Sequence, residues 1–467
     1  MNNSNRYISA QRYSNWIMDR NVKLGSDACE ILSHAIQAVD AYDCVFRKIV
    51  LDGNRIHIAN QWINLEKFDR IFIIGFGKAA VPMAKAVLDK LEGIIHQASV
   101  ITKDSKFLAE DGYLNKLSVY LGGHPIPSDG SIKSTLEILQ SLPTLTKNDL
   151  VLVVISGGGS ALFAHPVNGV SLSDLQMLTQ ILLNCGADIN EINTLRKHLD
   201  LVKGGRLAER LQPASLLALI LSDVIGDRLD MIASGPTIPD PTTFQDALEI
   251  LDRYDIRREI PVTILRSLEQ GSEGVIPETL KPGRLLSGQV GHYLVGTNLM
   301  AANAARRHAV SLGYHTDIIS TTLTAGTDVL ANYLGGILQR ERMTPCHSGQ
   351  PVCLIFGGEP TVNVRGDGLG GRNMDLTLRM VPKLAGITGV LFISFATDGE
   401  DGPTDAAGAV ADGFVFDEGK DVHGLDIHAF IENSDSYHYF EQLDGLIKTG
   451  ATGTNVNDLM LMLIEHQ

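Results

Sequence analysis

Several glycine-rich segments of this chain carry charged or hydroxyl side chains directly after an apolar run, a combination suited to holding an anion. In Gly75-Phe76-Gly77-Lys78-Ala79-Ala80 the small residues let backbone amides reach an anion, the next helix offers its positive N-terminal end, and Lys78 adds a full charge. The spacing also fits G-x-G-x-x-[GA], with Asp104 about where a ribose-binding acid is sought, so a dinucleotide reading stands beside the phosphate one. Taken alone, this loop reads as close helix–strand packing with a solvated lysine. Ser156-Gly157-Gly158-Gly159-Ser160 follows a buried-strand pattern and reads as a backbone nest with two hydroxyls aimed at phosphate oxygens. It is not a Walker A sequence, because no Lys follows the glycines.

A third group is acidic. Asp223 and Asp227 lie in Ser222-Asp223-Val224-Ile225-Gly226-Asp227-Arg228, after another apolar run, and Asp223 is placed to serve as a base or a metal ligand. Asp398, Glu400 and Asp401 put three acids in four residues, a density of hard oxygen ligands that suits Mg²⁺ or else a solvated acidic turn. Gly357-Gly358-Glu359-Pro360-Thr361 and Gly370-Gly371-Arg372-Asn373 form a further pair of loops. Arg372 stands near the start of a helical pattern, where a cation is mildly unfavourable, and its planar guanidinium asks for a carboxylate or phosphate. Arg196, Lys197 and Lys203 add cations, of which Arg196 and Lys197 could simply lie on a solvated helix face.

Positioning these loops takes strands that end where the loops begin. Apolar, partly β-branched runs at 70–75, 98–102, 117–121, 150–155 and 216–222 alternate with helical patterns at 132–141, 173–184, 203–211 and 244–254. That alternation predicts an α/β domain with a mostly parallel sheet, whose ligands sit beyond the carboxyl ends of the strands. A Gly/Glu/Pro-rich stretch at 269–283 interrupts the pattern and is expected to be a hinge, giving an N-terminal domain over 1–268 and a C-terminal one over 284–467. Strand patterns at 293–295, 315–321, 351–356 and 389–396, with helices at 297–312, 326–340 and 373–384, make the second domain α/β as well.

The composition fits that picture. Of 467 residues, 44% are hydrophobic and 20% charged, close to the roughly 45–50% and 25% of soluble globular proteins. A formal net charge of −15 repels a phosphate polyanion over most of the surface, so nucleic acid is not expected as a partner. No apolar stretch approaches the roughly 18 residues of a membrane span. Cys29, Cys44, Cys185, Cys346 and Cys353 are odd in number, form no C-x-x-C pair, and read as reduced thiols. Residues 1–18 contain Arg6 and Arg12 and no acid, as a leader peptide can, but three asparagines among the first five residues and the lack of an amphipathic stripe favour the cytosol.

In their order, the motifs resemble those of the glycerate 2-kinase family: Gly75 to Lys78, Gly122-Gly123-His124-Pro125-Ile126-Pro127, Ser156 to Ser160, Lys203-Gly204-Gly205, Ser222 to Asp227, Ser234-Gly235-Pro236-Thr237, Gly357 to Thr361, Gly370 to Asn373, Thr397 to Asp405, and Thr452 to Asp458. The resemblance implies a Rossmann-like N-terminal domain and a C-terminal domain with a MOFRL-like region at about 350–460. It implies a cleft between them in which ATP and Mg²⁺ phosphorylate D-glycerate to 2-phosphoglycerate. On that reading Lys78, Arg372 and Asp223 are catalytic, and Gly75, Gly77, Ser156, Gly157, Gly158, Gly159, Ser160, Lys203, Asp227 and Gly371 hold the nucleotide phosphates. Arg196, Glu359, Asn373 and Asn455 would hold the acid, and Asp398 and Asp401 the metal. Asp200 and Arg228 depart from the family pattern, where Ser and Pro are expected. The competing readings are an NAD(P)-dependent hydroxypyruvate reductase, which rests on the first loop alone, and a non-catalytic scaffold, which leaves every loop unexplained.

Overall fold

The computed structural model of the chain describes residues 20–58, 61–108, 116–343 and 349–465. Cys346 and residues 1–18, with their leader-like composition, lie outside these. In chain order, α1 (Val22–Ala38) precedes a small antiparallel sheet of β1 (Val50–Asp52), β2 (Arg55–Ile58) and β3 (Gln61–Asn64). Then come β4 (Arg70–Phe76), α2 (Ala80–Lys90), β5 (Ile95–Thr102), β6 (Ser118–Leu121), β7 (Asp149–Ile155), α3 (Ile189–His198), β8 (Ser215–Leu221) and β9 (Val290–Gly296). The unbroken apolar row of β7 is explained by its place in the sheet: every residue is buried, as expected for a parallel strand covered on both faces.

The six strands run in the order β6-β5-β4-β7-β8-β9, and the pairings from β6 through β8 are parallel. After β4 the chain adds β5 and β6 on one side, then crosses to lay down β7 and β8 on the other. The order therefore reverses between β4 and β7, and a crevice at the ends of those two strands is where such sheets bind ligands. The Gly75 and Ser156 loops leave from these two ends.

The described residues group into two compact units, one of them Ala41–Val295 and the other built from the segment before Ala41 together with Gly296 onward. The expected boundary at 269–283 is corrected. Thr279 and Leu280 are buried, Leu280 joins the core of the first unit, and its backbone bonds to Gly204 and Asp240. Beyond it, β9 completes the parallel sheet, so residues 293–295 belong to the first unit and not the second. Glycine, proline and glutamate marked irregular backbone there, but irregular backbone can still be packed.

The second unit holds α4 (Asn298–Ser311), β10 (His315–Leu323), β11 (Val352–Gly358), α5 (Arg372–Leu384), β12 (Val390–Ala396), β13 (Gly408–Asp412), β14 (Leu446–Ile447) and β15 (Asp458–Ile464). Its sheet, in the order β10-β11-β15-β12-β13-β14, is mixed: β10 and β11 are parallel, whereas β15 runs antiparallel to both β11 and β12. The N-terminal α1 belongs here, burying Leu24, Ala28, Ile31, Leu32, Ala35 and Ile36 and packing along α4. Both units are α/β, as the alternation of patterns predicts. Among the described residues no helix is long and apolar enough to cross a membrane.

Candidate active site

The two central loops of the parallel sheet are bonded to one another. Ser156 N–H donates to the Phe76 carbonyl, Lys78 N–H to the Gly157 carbonyl at 2.8 Å, and Ala79 N–H to Ser156 Oγ at 3.0 Å. This interlock requires glycine at 77, where φ is +127° and a Cβ would lie 2.2 Å from Ser156 Oγ. At Gly157 a Cβ would lie 2.1 Å from Asp223 Oδ2, so a larger residue there would have to push the carboxylate away. Asp223, carried by the loop after β8, thus holds its carboxylate against the backbone of the Ser156 loop. On the other flank, His124 Nε2 lies 3.0 Å and Lys78 Cγ 3.4 Å from where Gly158 would carry a side chain.

The electrostatics of this spot are one-sided. Burial, and then the charges of Lys78 and Lys103, push the His124 imidazole down to about 4, so it is neutral at physiological pH. Among the described residues no carboxylate pairs with Lys78 or with Arg196, which is largely buried and whose pKa is lowered by burial alone. Neither cation is paired by a described carboxylate, and a bound anion is what such an arrangement lacks.

Arg196 reaches this region on α3, whose start is fixed by a capping box between Asp188 and Glu191. The same helix supplies Asn193, which accepts from Ser234 Oγ at 3.0 Å, and Ser234 Oγ in turn lies 2.7 Å from Ser160 Oγ. Ser234 and its neighbour Ala233 adopt left-handed backbone, φ +60° and +51°, a conformation costing a non-glycine residue of order 1 kcal/mol or more and most often kept at functional sites. A cavity of about 230 Å³ opens here, with His124, Gly158, Ser160, Arg196 and Lys203 in its lining.

Some expected phosphate ligands are spent elsewhere. Lys203 is buried, with its ammonium 2.7 Å from Asp200 and 3.0 Å from the Phe163 carbonyl. The unexpected Asp200 explains this: besides Lys203 it accepts from His165 N–H and Val202 N–H, and so clamps the turn that Lys203 begins. Lys197, read as a solvated cation, is buried beside Asp240 and Asp230. Asp227 is bonded to Ser222, its carboxyl pushed up by burial and drawn down by that bond. Arg228, the other departure, pairs with Asp230 and Asn190 on the surface. Asp104, the candidate ribose acid, is paired with Lys106.

In the second unit Arg372 opens α5. Its guanidinium makes two bonds to Asp458 at the start of β15, at 2.6 and 3.1 Å, and a third to Glu359 at 2.8 Å. The anion that its position calls for is therefore internal. Burial works against the guanidinium charge, but Asp458 and Glu359 outweigh it and raise its pKa; burial, with the neighbouring Asp401 carboxylate, pushes Asp458 up to about 7, although the two-pronged contact with Arg372 draws it down. Glu359 is the exposed partner, at 44% of its side chain, and the one an incoming anion would displace.

Asp401, expected on a metal, has both oxygens on the helix start: Oδ1 accepts from Asn373 N–H and Nδ2, and Oδ2 from Met374 N–H at 2.8 Å. Burial still raises its pKa to about 6. Gly371 leaves room for that carboxylate, since a Cβ there would meet it at 2.3 Å. Asn373 is wholly buried and divided between Asp401 and Ser394, which makes it a positioning residue for the α5 start. Asp398 accepts from the Glu400 N–H in its own turn, and Asn455 from the Asn457 N–H. Among the described residues no three His, Cys, Asp or Glu side chains converge as a metal-ligand set, and the Asp401 oxygens are taken up by the helix start.

Sequence reasoning missed His124 and Lys103 as members of the site. Gly122-Gly123-His124-Pro125 was a legible signal for the first, since paired glycines at the end of β6 free the backbone beside a titratable ring.

Comparison with known proteins follows this geometry closely. Residues 27–269 match the model of a domain of unknown function (DUF4147), and residues 352–458 match the MOFRL family. The chain is 41% identical to the D-glycerate 2-kinase of Thermotoga maritima, across 85% of this chain and 91% of that one. It is 38% identical to the glycerate 2-kinase of Pyrococcus horikoshii, across 93% and 96%. The crystal structure of a Thermotoga maritima glycerate kinase superposes with a TM-score of 0.82 at 39% identity, covering 95% of this chain and all of that one.

Proposed function

The chain belongs to the glycerate 2-kinase family, and on that premise we propose that it transfers the terminal phosphoryl group of ATP to the 2-hydroxyl of D-glycerate, releasing ADP and 2-phosphoglycerate. The observation that carries this reading is the anion site at the reversal of the parallel sheet. Two cations that no described carboxylate pairs, Lys78 from the neighbouring loop and Arg196 from α3, lie beside the Ser156–Ser160 nest, and the Asp223 carboxylate abuts the nest.

Phosphoryl transfer asks little covalent chemistry of a protein; it needs the phosphates held, their charge offset and the hydroxyl aimed. The amides of Gly157 and Gly158 and the Ser156 and Ser160 hydroxyls take the phosphate oxygens, while the Gly159 amide closes the loop on the Ser156 carbonyl. Lys78, on a flexible stem, follows the charge as it moves from donor to acceptor. Asp223 orients the glycerate 2-hydroxyl and takes its proton as the new P–O bond forms and the bond to the departing ADP breaks. Arg196 is an anion receptor for a substrate. In the second unit Arg372, with Glu359 as its exchangeable partner, is a further anion receptor, and Asn455 lies in the same unit's loops. Mg²⁺ would arrive on the donor's phosphates, since the residues present supply no cage for it.

The test is incubation of the protein with D-glycerate, ATP and Mg²⁺, followed by ³¹P NMR, and separately with hydroxypyruvate and NADH, followed by absorbance. A 2-phosphoglycerate resonance growing with ADP is the expected result. NADH consumption without phosphorylation would replace the kinase reading with the reductase one.

A further inference from the structure

The phosphate nest opens onto more apolar space than a phosphate chain and a three-carbon acid can use. Beyond His124, Gly158 and Ser160, most of the wall is apolar, made by Ile126, Leu175, Leu178, Leu182, Ile192 and Leu199, with Gln176, Thr179 and Asp200 as polar members. Four of these, Leu178, Leu182, Ile192 and Leu199, belong to a hydrophobic core cluster of the unit and are fixed by it. Glycerate carries a polar group on every carbon, and the leucine and isoleucine part of the wall offers those groups no hydrogen-bond partner. A flat, weakly polar ring system is the opposite case. It gains from apolar walls, and it needs only a few directed groups to fix its orientation.

Among the described charged residues of this lining, Asp200 and Lys203 pair with each other, and the Arg196 guanidinium has no carboxylate partner. A guanidinium is planar and delocalised, stacks on aromatic faces, and can still donate to a phosphate at its edge. An aliphatic occupant would bury this charge with nothing to offset it. An aromatic occupant carrying phosphate offsets it twice, through the ring face and through the oxygens.

We propose that this cavity seats the purine base of the nucleotide donor, with the ring between the leucine walls and Arg196, and the phosphates led out toward the Ser156–Ser160 nest. The proposal rests on the kinase reading in one respect, that the donor is a nucleoside triphosphate, and it assigns Arg196 to the donor instead of the acid.

The experiment compares ATP with inorganic tripolyphosphate, which has the charge without the base, by titration calorimetry on the full chain. The variant is Thr179→Trp. Thr179 is half-buried in the lining, and its hydroxyl bonds only to the Leu175 carbonyl of its own helix, so an indole there fills the cavity without opening a partner elsewhere. Wild type should bind ATP more tightly than tripolyphosphate. Thr179→Trp should weaken ATP binding by roughly tenfold or more and leave tripolyphosphate as it was, since only the base loses its seat. An unchanged affinity for ATP in a variant that melts like wild type overturns the proposal. So does an equal loss for both ligands, or a variant whose only change is a raised KM for glycerate. If Thr179→Trp does not fold, Ile126→Asp, at an exposed position of the same lining, puts a charge against the ring and is read against the same outcomes. The kinase reading fails separately, when wild type binds ATP but makes no phosphoglycerate; the contrast between ATP and tripolyphosphate still decides the cavity in that case.

Discussion

Lys78 and Arg372 are both cations beside glycines, and their surroundings separate them. Lys78 has no carboxylate partner among the described residues, so its charge remains available to a substrate. An interaction that strengthens only as charge moves to the transferred phosphoryl raises kcat, whereas uniform binding mainly lowers KM. Lys78→Ala should therefore depress kcat by roughly 10²–10³, the scale seen when one preorganised electrostatic donor is removed. Steady-state kinetics on the folded variant decide it: a raised KM for ATP with kcat intact would make Lys78 a ground-state contact. Arg372 is bound on two sides by its own protein. Arg372→Lys keeps the charge but cannot span both oxygens of Asp458 and also reach Glu359. It should lower the thermal midpoint and cut kcat/KM for glycerate by at least about tenfold, since single buried charge-assisted bonds carry about 1.5–3 kcal/mol. A lowered midpoint with wild-type glycerate kinetics would leave Arg372 a structural residue only.

Among the elements, what could be read from sequence was what burial alone determines. β4 and β7 announce themselves because both faces are covered, and the loops after them were legible as anion sites because glycine and serine follow a strand end. β15 was not. Leu459-Met460-Leu461-Met462-Leu463 carries no β-branched residue, yet it lies antiparallel between β11 and β12 and bears Asp458, so strand and functional acid were missed together. The direction of Lys203 was hidden for another reason: it depends on Asp200, three residues earlier, turning inward. The segment 269–283 gives the clearest case. Its composition reads as a hinge, but Glu278 ties it to the fold, bonding to His198 Nε2, to Lys281 and to the Phe244 N–H. Burial tends to raise the Glu278 carboxyl, and these partners together outweigh it and hold it at about 2. A carboxyl so depressed contributes stability that is fully present above its unfolded value, near 4.5, and is lost as pH falls toward 2. Glu278→Gln should thus lower the urea midpoint at pH 7, and the gap from wild type should narrow by pH 3.5. A gap of equal size at both pH values would mean the ionised carboxylate is not what holds the segment, and the hinge expectation would regain ground.

At the scale of the whole molecule, chain order and folding units do not coincide. The polypeptide starts in one unit at α1, builds the other from Ala41 to Val295, and returns at Gly296. A helix is stable in water mainly through the apolar face it buries, so α1 and α4 depend on each other although 259 residues separate Ala38 from Asn298. Without α1, the alanine-rich face of α4, with Ala301, Ala302, Ala305 and Ala309 all buried, loses part of its cover, and an apolar patch of that kind invites self-association. Residues 41–295 expressed alone should accordingly give a monomeric, cooperatively melting fragment, since they contain a complete six-stranded sheet and its cores. Residues 296–467 alone should aggregate or melt without cooperativity. Joining 1–40 to their N-terminus through a flexible linker should restore a monomer, because the linker replaces only a chain connection and the α1–α4 contact is local to that unit. Size-exclusion chromatography and circular dichroism on the three fragments read the outcome. If 296–467 is monomeric and cooperative without 1–40, then α1 is an accessory to that unit instead of part of its core, and the two-crossing description of the fold has to be redrawn with the boundary at Gly296 alone.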